Sequence, residues 1–299
     1  MSEPLPVAVR AACARVAARA RHVRIVDEAI EPYAASLPAA SPPAPDRDGT
    51  LEERAAFSLT LNAINFGSGW FPTLRKADGM SGFRTVEAGL RAHGPWSADV
   101  LVTMTAEGIA AATGQDSGHE LMALFAAHLN ELGERVRDEH DGSFLALARS
   151  GEGSAVRLAE ELGSWPTWRD VSTYDGEDVP LFKRAQIAAA DLALAGIAPA
   201  DDLAALTIFA DNLVPHVLRI DGVLTFDDDL VARIDAGTLL EHGSPEEVEM
   251  RACAVHAVEL IVRERGDTSA QAIDHLLWNR GAGERYKAVP RPRARTTAY

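Results

Sequence analysis

The sequence predicts a mostly α-helical protein, on three observations. Apolar residues recur at spacings of three and four along most of the chain. Several of these stretches open on a Ser, Thr or Asp placed as a helix cap. Sheet signals are confined to one stretch, a small hairpin or sheet near residues 70–83. The expected architecture is a helical, bundle-like domain.

The N-terminal stretch reads as a first amphipathic helix, with Val7, Val9, Cys13, Val16 and Ala17 on or near one stripe. It holds several Arg but no uninterrupted apolar core, so it is not read as a secretory signal. It is Arg-rich and acid-poor like a transit peptide, but its pattern continues straight into the next helix. Residues 37–49, LPAASPPAPDRDG, form a Pro-rich connector. Residues 50–64 read as helix, with Leu51, Phe57 and Leu61 among the apolar positions. Residues 65–83 carry glycines, aromatics and the turn signal Asp78-Gly79, which predict a loop and a short hairpin. The helical pattern then returns from Thr85 to Ala111, with Ser97 and Thr105 as caps.

Residues 119–136 predict a strong amphipathic helix. His128 lies on its apolar side and reads as a packed histidine, since no second metal ligand stands at helical spacing. Residues 143–148 and 155–162 are two further helices, and 163–180 an irregular connection with two Trp. Residues 181–194 form an Ala-rich helix with Lys183 in its first turn. In 206–219, LTIFADNLVPHVLR, the spacing of Leu206, Phe209, Leu213 and Val217 predicts one buried helical stripe, bent or ended by Pro215. Asp221-Gly222 is a turn, followed by a helix over 227–236. Ser244-Pro245-Glu246-Glu247 predicts a capping box opening a helix that runs to about Arg263. Residues 273–278, IDHLLW, begin the last helix.

With 299 residues, 47% hydrophobic and 24% charged, the chain suits a soluble globular protein, read as one domain over 1–299. Two lobes with a cleft between them are the alternative. No run of about 18 apolar residues predicts a membrane span. Cys13 and Cys253 are too few and too isolated for a disulfide framework or a zinc site, which fits a reducing cytoplasm. The net charge of −15 argues against non-specific grip on nucleic acid. The last twenty residues run the other way: Arg280, Arg285, Lys287, Arg291, Arg293 and Arg295 stand against the single acid Glu284. Such a patch suits one phosphate, although a charge run is more commonly a solvated tail.

No GxGxxG, GxxxxGK[ST], GxSxG or HExxH motif occurs, and GSG at 67–69 is too short to carry meaning alone. What remains are acids in apolar settings: Asp211, Glu259 and Asp274. Two readings of Asp211 stand. It caps the segment containing Pro215, which composition favours, or it faces a cavity with a task. Asp274 lies four residues before Trp278, so acid and aromatic share a helix face. An acid beside flat aromatics suits a cationic, planar ligand. Taken singly, a dipole-facing acid and a core Trp explain the pair as well.

Seven segments, in order, resemble one family. They are LNAINFGSGWFP (61–72), SGF (81–83), GSFLALARSGEGSA (142–155), FKRAQIAAADL (182–192), LTIFADNLVPHVLR (206–219), GSPEEVEMRACAVHAVELI (243–261) and IDHLLW (273–278). The chain from about residue 20 to Tyr299 resembles the queuosine salvage proteins, the queuosine 5'-phosphate N-glycosylase/hydrolases. The resemblance implies a fold similar to helix–hairpin–helix DNA glycosylases. It implies hydrolysis of the N-glycosidic bond of queuosine 5'-monophosphate to queuine and ribose 5-phosphate; no cofactor is expected, and no metal, since no metal-ligand constellation stands in the sequence. It implies Asp211 as the catalytic carboxylate and Phe209 as a surface stacking on the deazaguanine. Asp274 and Trp278 would bind the base, Asp274 by pairing with its amine or its guanine-like edge. Lys183 would meet the phosphate or an acid of the site, and His22 would touch substrate from the N-terminal segment. Asn279 stands where the family often has an acid. Other readings are a non-catalytic binder of queuine or of queuosine-modified tRNA, and a DNA-repair glycosylase; direct nucleic-acid binding is not expected at this charge.

Overall fold

The computed structural model describes residues 3–39 and 48–299. Residues 40–47, the middle of the predicted connector, lie outside them. Helices dominate, as predicted, in this order: α1 Leu5–Arg19, α2 Asp27–Ser36, α3 Leu51–Ala63, α4 Gly82–His93, α5 Ala98–Val102, α6 Ala106–Thr113, α7 Glu120–Glu139, α8 Phe144–Arg149, α9 Ala155–Ser164, α10 Lys183–Leu194, α11 Leu213–Ile220, α12 Asp228–Asp235, α13 Pro245–Arg265, α14 Ala270–Arg280 and α15 Glu284–Lys287. None of the described helices is long and apolar enough to cross a membrane.

Side-chain caps set many of the starts. Ser97 and Thr105 accept from the N–H groups of Val100 and Gly108 and divide the predicted 85–111 helix into α4, α5 and α6. Thr50 and Glu53 form a reciprocal capping box on α3. At α13 the Ser244 cap and Pro245 are in place. Glu247, however, accepts from the Gly243 N–H at 3.0 Å, one residue before the cap. It turns inward because its other oxygen meets Arg251 at 3.4 Å.

α13 is the central element. From Glu247 to Val255 every side chain is buried, so this helix has no solvent face along that length. α1, α2, α11 and α14 pack around it. Burying each Val or Ile along it contributes about 1.5–3 kcal/mol. Apolar side chains from Leu5 to Tyr286 join one connected core.

The hairpin predicted near 70–83 is not there. That stretch holds a short 3-10 turn, Phe71–Thr73, and then the start of α4, capped by Ser81. Asp78-Gly79 does make a turn, but Arg75, Lys76 and Met80 beside it are exposed and offer no strand face to bury. The hairpin forms instead in the predicted irregular connection. β2 Val171–Tyr174 pairs antiparallel with β3 Glu177–Pro180. Asp175 and Gly176, at φ 47° and 80°, make the two-residue turn between them. Ser172, Tyr174 and Val179 supply its buried face. A second antiparallel pair, β1 Val23–Ile25 with β4 Leu224–Phe226, links the N-terminal helices to the end of α11.

Candidate active site

The predicted helix over 206–219 forms only in its second half. Residues 206–210 are buried and outside any helix, and distant side chains pair with three of their backbone groups. Thr207 N–H donates to Gln186 Oε1 at 3.0 Å, and Phe209 N–H to Asp274 Oδ1 at 2.9 Å. The Ala210 carbonyl accepts from Arg251 Nε at 2.9 Å. Buried backbone must be paired, so Gln186, Asp274 and Arg251 hold this run in one course where local spacing alone favours helix. Pro215 sits inside the first turn of α11, where its missing N–H costs little.

Asp211 lies at the junction. Its Oδ1 accepts from the N–H groups of Leu213 at 2.7 Å and Val214 at 3.3 Å, so from one residue before the N-cap position, Asn212, it caps the first turn of α11 much as composition favours. Its Oδ2 makes no hydrogen bond among the described residues. The cap thus fixes the carboxylate's direction and leaves one oxygen of a half-buried acid uncommitted.

Two groups answer Asp211 from other elements. Asp274, on α14, is buried; burial and then the Asp211 charge push its carboxyl well above the usual carboxylate range, against the Phe209 N–H and Lys183. Lys183 opens α10 and is buried, not on the helix surface. Its Nζ donates to the Asn65 carbonyl at 3.0 Å. Burial pulls its pKa down to about 8, with Asp211 and Asp274 working the other way. A fourth group, Asp191, is two turns along α10. Asn62 Nδ2 donates to it at 2.9 Å, and burial raises its pKa to about 6 against that bond and Lys183.

The sign of the Asp274 shift gives a stability prediction. A carboxyl raised in the folded state holds a proton that the unfolded chain has released. Its stabilising contribution is whole below the ordinary carboxylate range and is lost as pH rises through the raised native value. Asp274→Asn cannot ionise and its amide oxygen can still accept from Phe209. Urea midpoints should therefore fall less for the variant than for the parent between pH 5 and 7, a window in which Lys183 stays charged. Parallel midpoints across that window would refute the assignment.

Phe209 is buried within the 206–210 run. Trp278, half-buried and one turn beyond Asp274, meets Phe83 edge-on at 6.3 Å, with the Arg84 guanidinium 4.9 Å from its ring centre. Phe209, Asp211, Asp274 and Lys183 are thus brought together by segment 206–212, α10 and α14, and Trp278 follows Asp274 by one turn on α14. His22 and Asn279 are placed differently. His22 Nδ1 pairs with Asp227 at 2.6 Å beside Arg233 and Glu246, and its backbone is tied to Glu249. Asn279 is exposed and bonds back along its own helix to the His275 carbonyl at 2.9 Å.

Sequence reasoning missed the support under the site. Arg251 binds Asp170 through both guanidinium arms, at 3.0 and 2.6 Å, and reaches Glu247, with all three side chains fully buried. Asp170 also accepts the Lys183 N–H at 2.9 Å, so this pair ties α13 to the start of α10. The Tyr299 ring centre lies 4.0 Å from that guanidinium. The basic tail is no solvated run. Asn212 Nδ2 donates to the Pro292 carbonyl at 2.7 Å and to Ser68 Oγ at 2.8 Å. The short GSG motif gains its meaning here: a Cβ on Gly69 would lie 2.4 Å from the Ala294 carbonyl oxygen.

Fold and site together define a helical protein in which a buried acid and lysine, Asp274 and Lys183, accompany a half-buried carboxylate, Asp211. A family model described as queuosine salvage protein matches residues 45–299, and the chain belongs to that family. It is 36% identical over 212 residues to a protein of Sphaerobacter thermophilus, covering 68% of this chain and 65% of that one. To a Mus musculus protein it is 33% identical over 189 residues, 57% of this chain and 56% of that one. To a Schizosaccharomyces pombe protein it is 35% identical over 154 residues, covering 49% and 44%. All three are named queuosine 5'-phosphate N-glycosylase/hydrolase. The chain therefore spans about half to two thirds of these relatives' lengths.

Proposed function

We propose that this protein hydrolyses the N-glycosidic bond of queuosine 5'-monophosphate, with water, to queuine and ribose 5-phosphate. The observation that carries this reading is the Asp211 carboxylate, fixed through one oxygen and uncommitted at the other, beside Asp274 and Lys183. Breaking the bond from C1' to nitrogen builds positive charge on the ribose. A preorganised carboxylate in a partly dry site stabilises that charge or attacks the carbon, and a water completes hydrolysis. The names of the relatives are consistent with this substrate.

Asp274 serves the base. Queuine carries a cationic secondary amine and a guanine-like edge, and a buried carboxyl meets either. Pairing with the amine would return Asp274 to its ionised form, lending the site affinity for that cation. Trp278 and Phe209 supply flat surface for the deazapurine. Asp274→Asn should weaken queuine about tenfold by calorimetry, the scale of one charge-assisted hydrogen bond; unchanged affinity would remove Asp274 from base recognition. The surroundings of both cysteines, buried and unpaired, suit a cytoplasmic setting.

Chromatography of the purified protein mixed with the nucleotide tests the reaction. Release of queuine and ribose 5-phosphate beyond one equivalent is expected. Tight retention of intact nucleotide would make the protein a binder and not a hydrolase.

A further inference from the structure

Lys183 is buried at the start of α10, and its ammonium has several N–H bonds to satisfy. It makes one hydrogen bond, to the Asn65 carbonyl at 3.0 Å, and no ion pair among the described residues. The charges that act on it come from three elements. Asp211 stands on segment 206–212 and Asp274 on α14, while Arg184 and Asp191 share its own helix. Arg184 works against the ammonium, and the raised Asp274 carboxyl lends it little negative charge. Asp211 is only half-buried, open to screening by water. Of the acids that act on Lys183, that leaves Asp191.

Side-chain hydrogen bonds tie Asp191 to the same place. Its Oδ2 accepts from Asn62 Nδ2 at 2.9 Å. Asn62, buried in α3, accepts at its own Oδ1 from Asn65 Nδ2 at 3.2 Å. Asn65 is the residue whose carbonyl receives the Lys183 ammonium. A chain therefore runs from Asp191 through Asn62 and Asn65 to Lys183. Asp191 lies inside α10, so it caps no helix start, and it has no ion pair among the described residues. An acid withdrawn from water with no cation in contact is costly. Burial raises its pKa to about 6; the Asn62 bond and the Lys183 charge work the other way, and Glu87 on α4 adds to the rise. At pH 7 and above it is ionised.

We propose that Asp191 is a positioning residue for the reaction, the counter-charge that, through Asn62 and Asn65, secures the Lys183 ammonium beside Asp211. The inference rests on the hydrolase reading above and assigns control of the site's lysine to a named acid. The effect is reciprocal, since each charge favours the ionised form of the other. The sign follows. Without the Asp191 charge, buried Lys183 gives up its proton at lower pH, so activity on the alkaline side is lost earlier. On the acid side Lys183 stays protonated with or without Asp191.

The chain has three lysines, and Lys76 and Lys287 are exposed, so NMR of protein carrying lysine isotope-labelled at Cε follows Lys183 by itself. In the parent its resonance should titrate near pH 8. In D191N, which keeps an oxygen for Asn62, the midpoint should fall by at least ~0.5 in pH, less than the roughly 1–3 typical of an opposite charge in close contact. D191E keeps the charge and should stay near the parental midpoint. For the nucleotide, kcat/KM of D191N should fall ~3-fold or more above pH 8 and much less near pH 6, where Lys183 is charged in both proteins. A Lys183 midpoint unmoved in D191N, or lowered equally in D191E, would overturn the proposal. So would a loss of kcat/KM that is uniform across pH, the mark of a merely structural acid. A lowered midpoint in D191N, with a parent that leaves the nucleotide intact, would instead overturn the hydrolase reading alone.

Discussion

Asp211→Asn should lower turnover of queuosine 5'-monophosphate by at least ~10²-fold, the scale of losing one electrostatic partner of a transition state. The substitution is chosen for what it preserves. Asn is as good a cap as Asp, so its side-chain oxygen can still accept from Leu213 and Val214 and keep the start of α11 in place. What changes is the charge on the side that carries no hydrogen bond. A thermal melt close to that of the parent, with kcat reduced and KM little altered, would separate chemistry from folding. Near-normal kcat would leave Asp211 as a helix cap and nothing more.

Arg251→Met should destabilise the fold by about 3–5 kcal/mol, the usual penalty for stranding buried charges by removing their partner. Burial opposes the Arg251 charge, but Asp170 and Glu247 outweigh it. Without the guanidinium, two fully buried carboxylates face each other and the Ala210 carbonyl loses its donor. Both ends of the site would slacken, because Asp170 also holds the first N–H of α10 beside Lys183. Urea denaturation measures this directly; a loss below about 1 kcal/mol would show that the network is dispensable.

The helical elements were legible because their signals are local. Ser97, Thr105 and Ser244 each reach a backbone N–H three residues ahead, a bond written within a single turn. The misses share an opposite cause. Residues 206–210 carry helical spacing, but Gln186, Asp274 and Arg251 take their backbone from 21, 65 and 41 residues away. Asp175-Gly176 joins two strands and Asp78-Gly79 does not: Ser172, Tyr174 and Val179 have a core to cover and both turn residues take positive φ, whereas Met80 is exposed and Asp78 keeps negative φ.

The site was legible in part. Asp211, Asp274 and Lys183 were marked by acids in apolar company and by family resemblance, and they do converge. Asp211 as a cap and Asp211 as a working acid look like rivals in the sequence; the structure assigns the cap to a single oxygen. The expectation for His22 rested on resemblance alone, and β1 and β4 carry it to Asp227 instead. Asp170 offered no signal, since nothing near it in sequence hints at Arg251. The tail arginines read as one charge run, and only the fold distinguishes paired Arg280 and Arg295 from unpaired Arg291 and Arg293.

The most direct measurement is a crystal structure of the Asp211→Asn protein holding intact queuosine 5'-monophosphate. The account predicts the anomeric carbon about 3–3.5 Å from the residue-211 side chain, on the side away from the Leu213 and Val214 N–H groups, with the base along Trp278 and Asp274. A nucleotide bound elsewhere, or with its sugar turned away from residue 211, would contradict it.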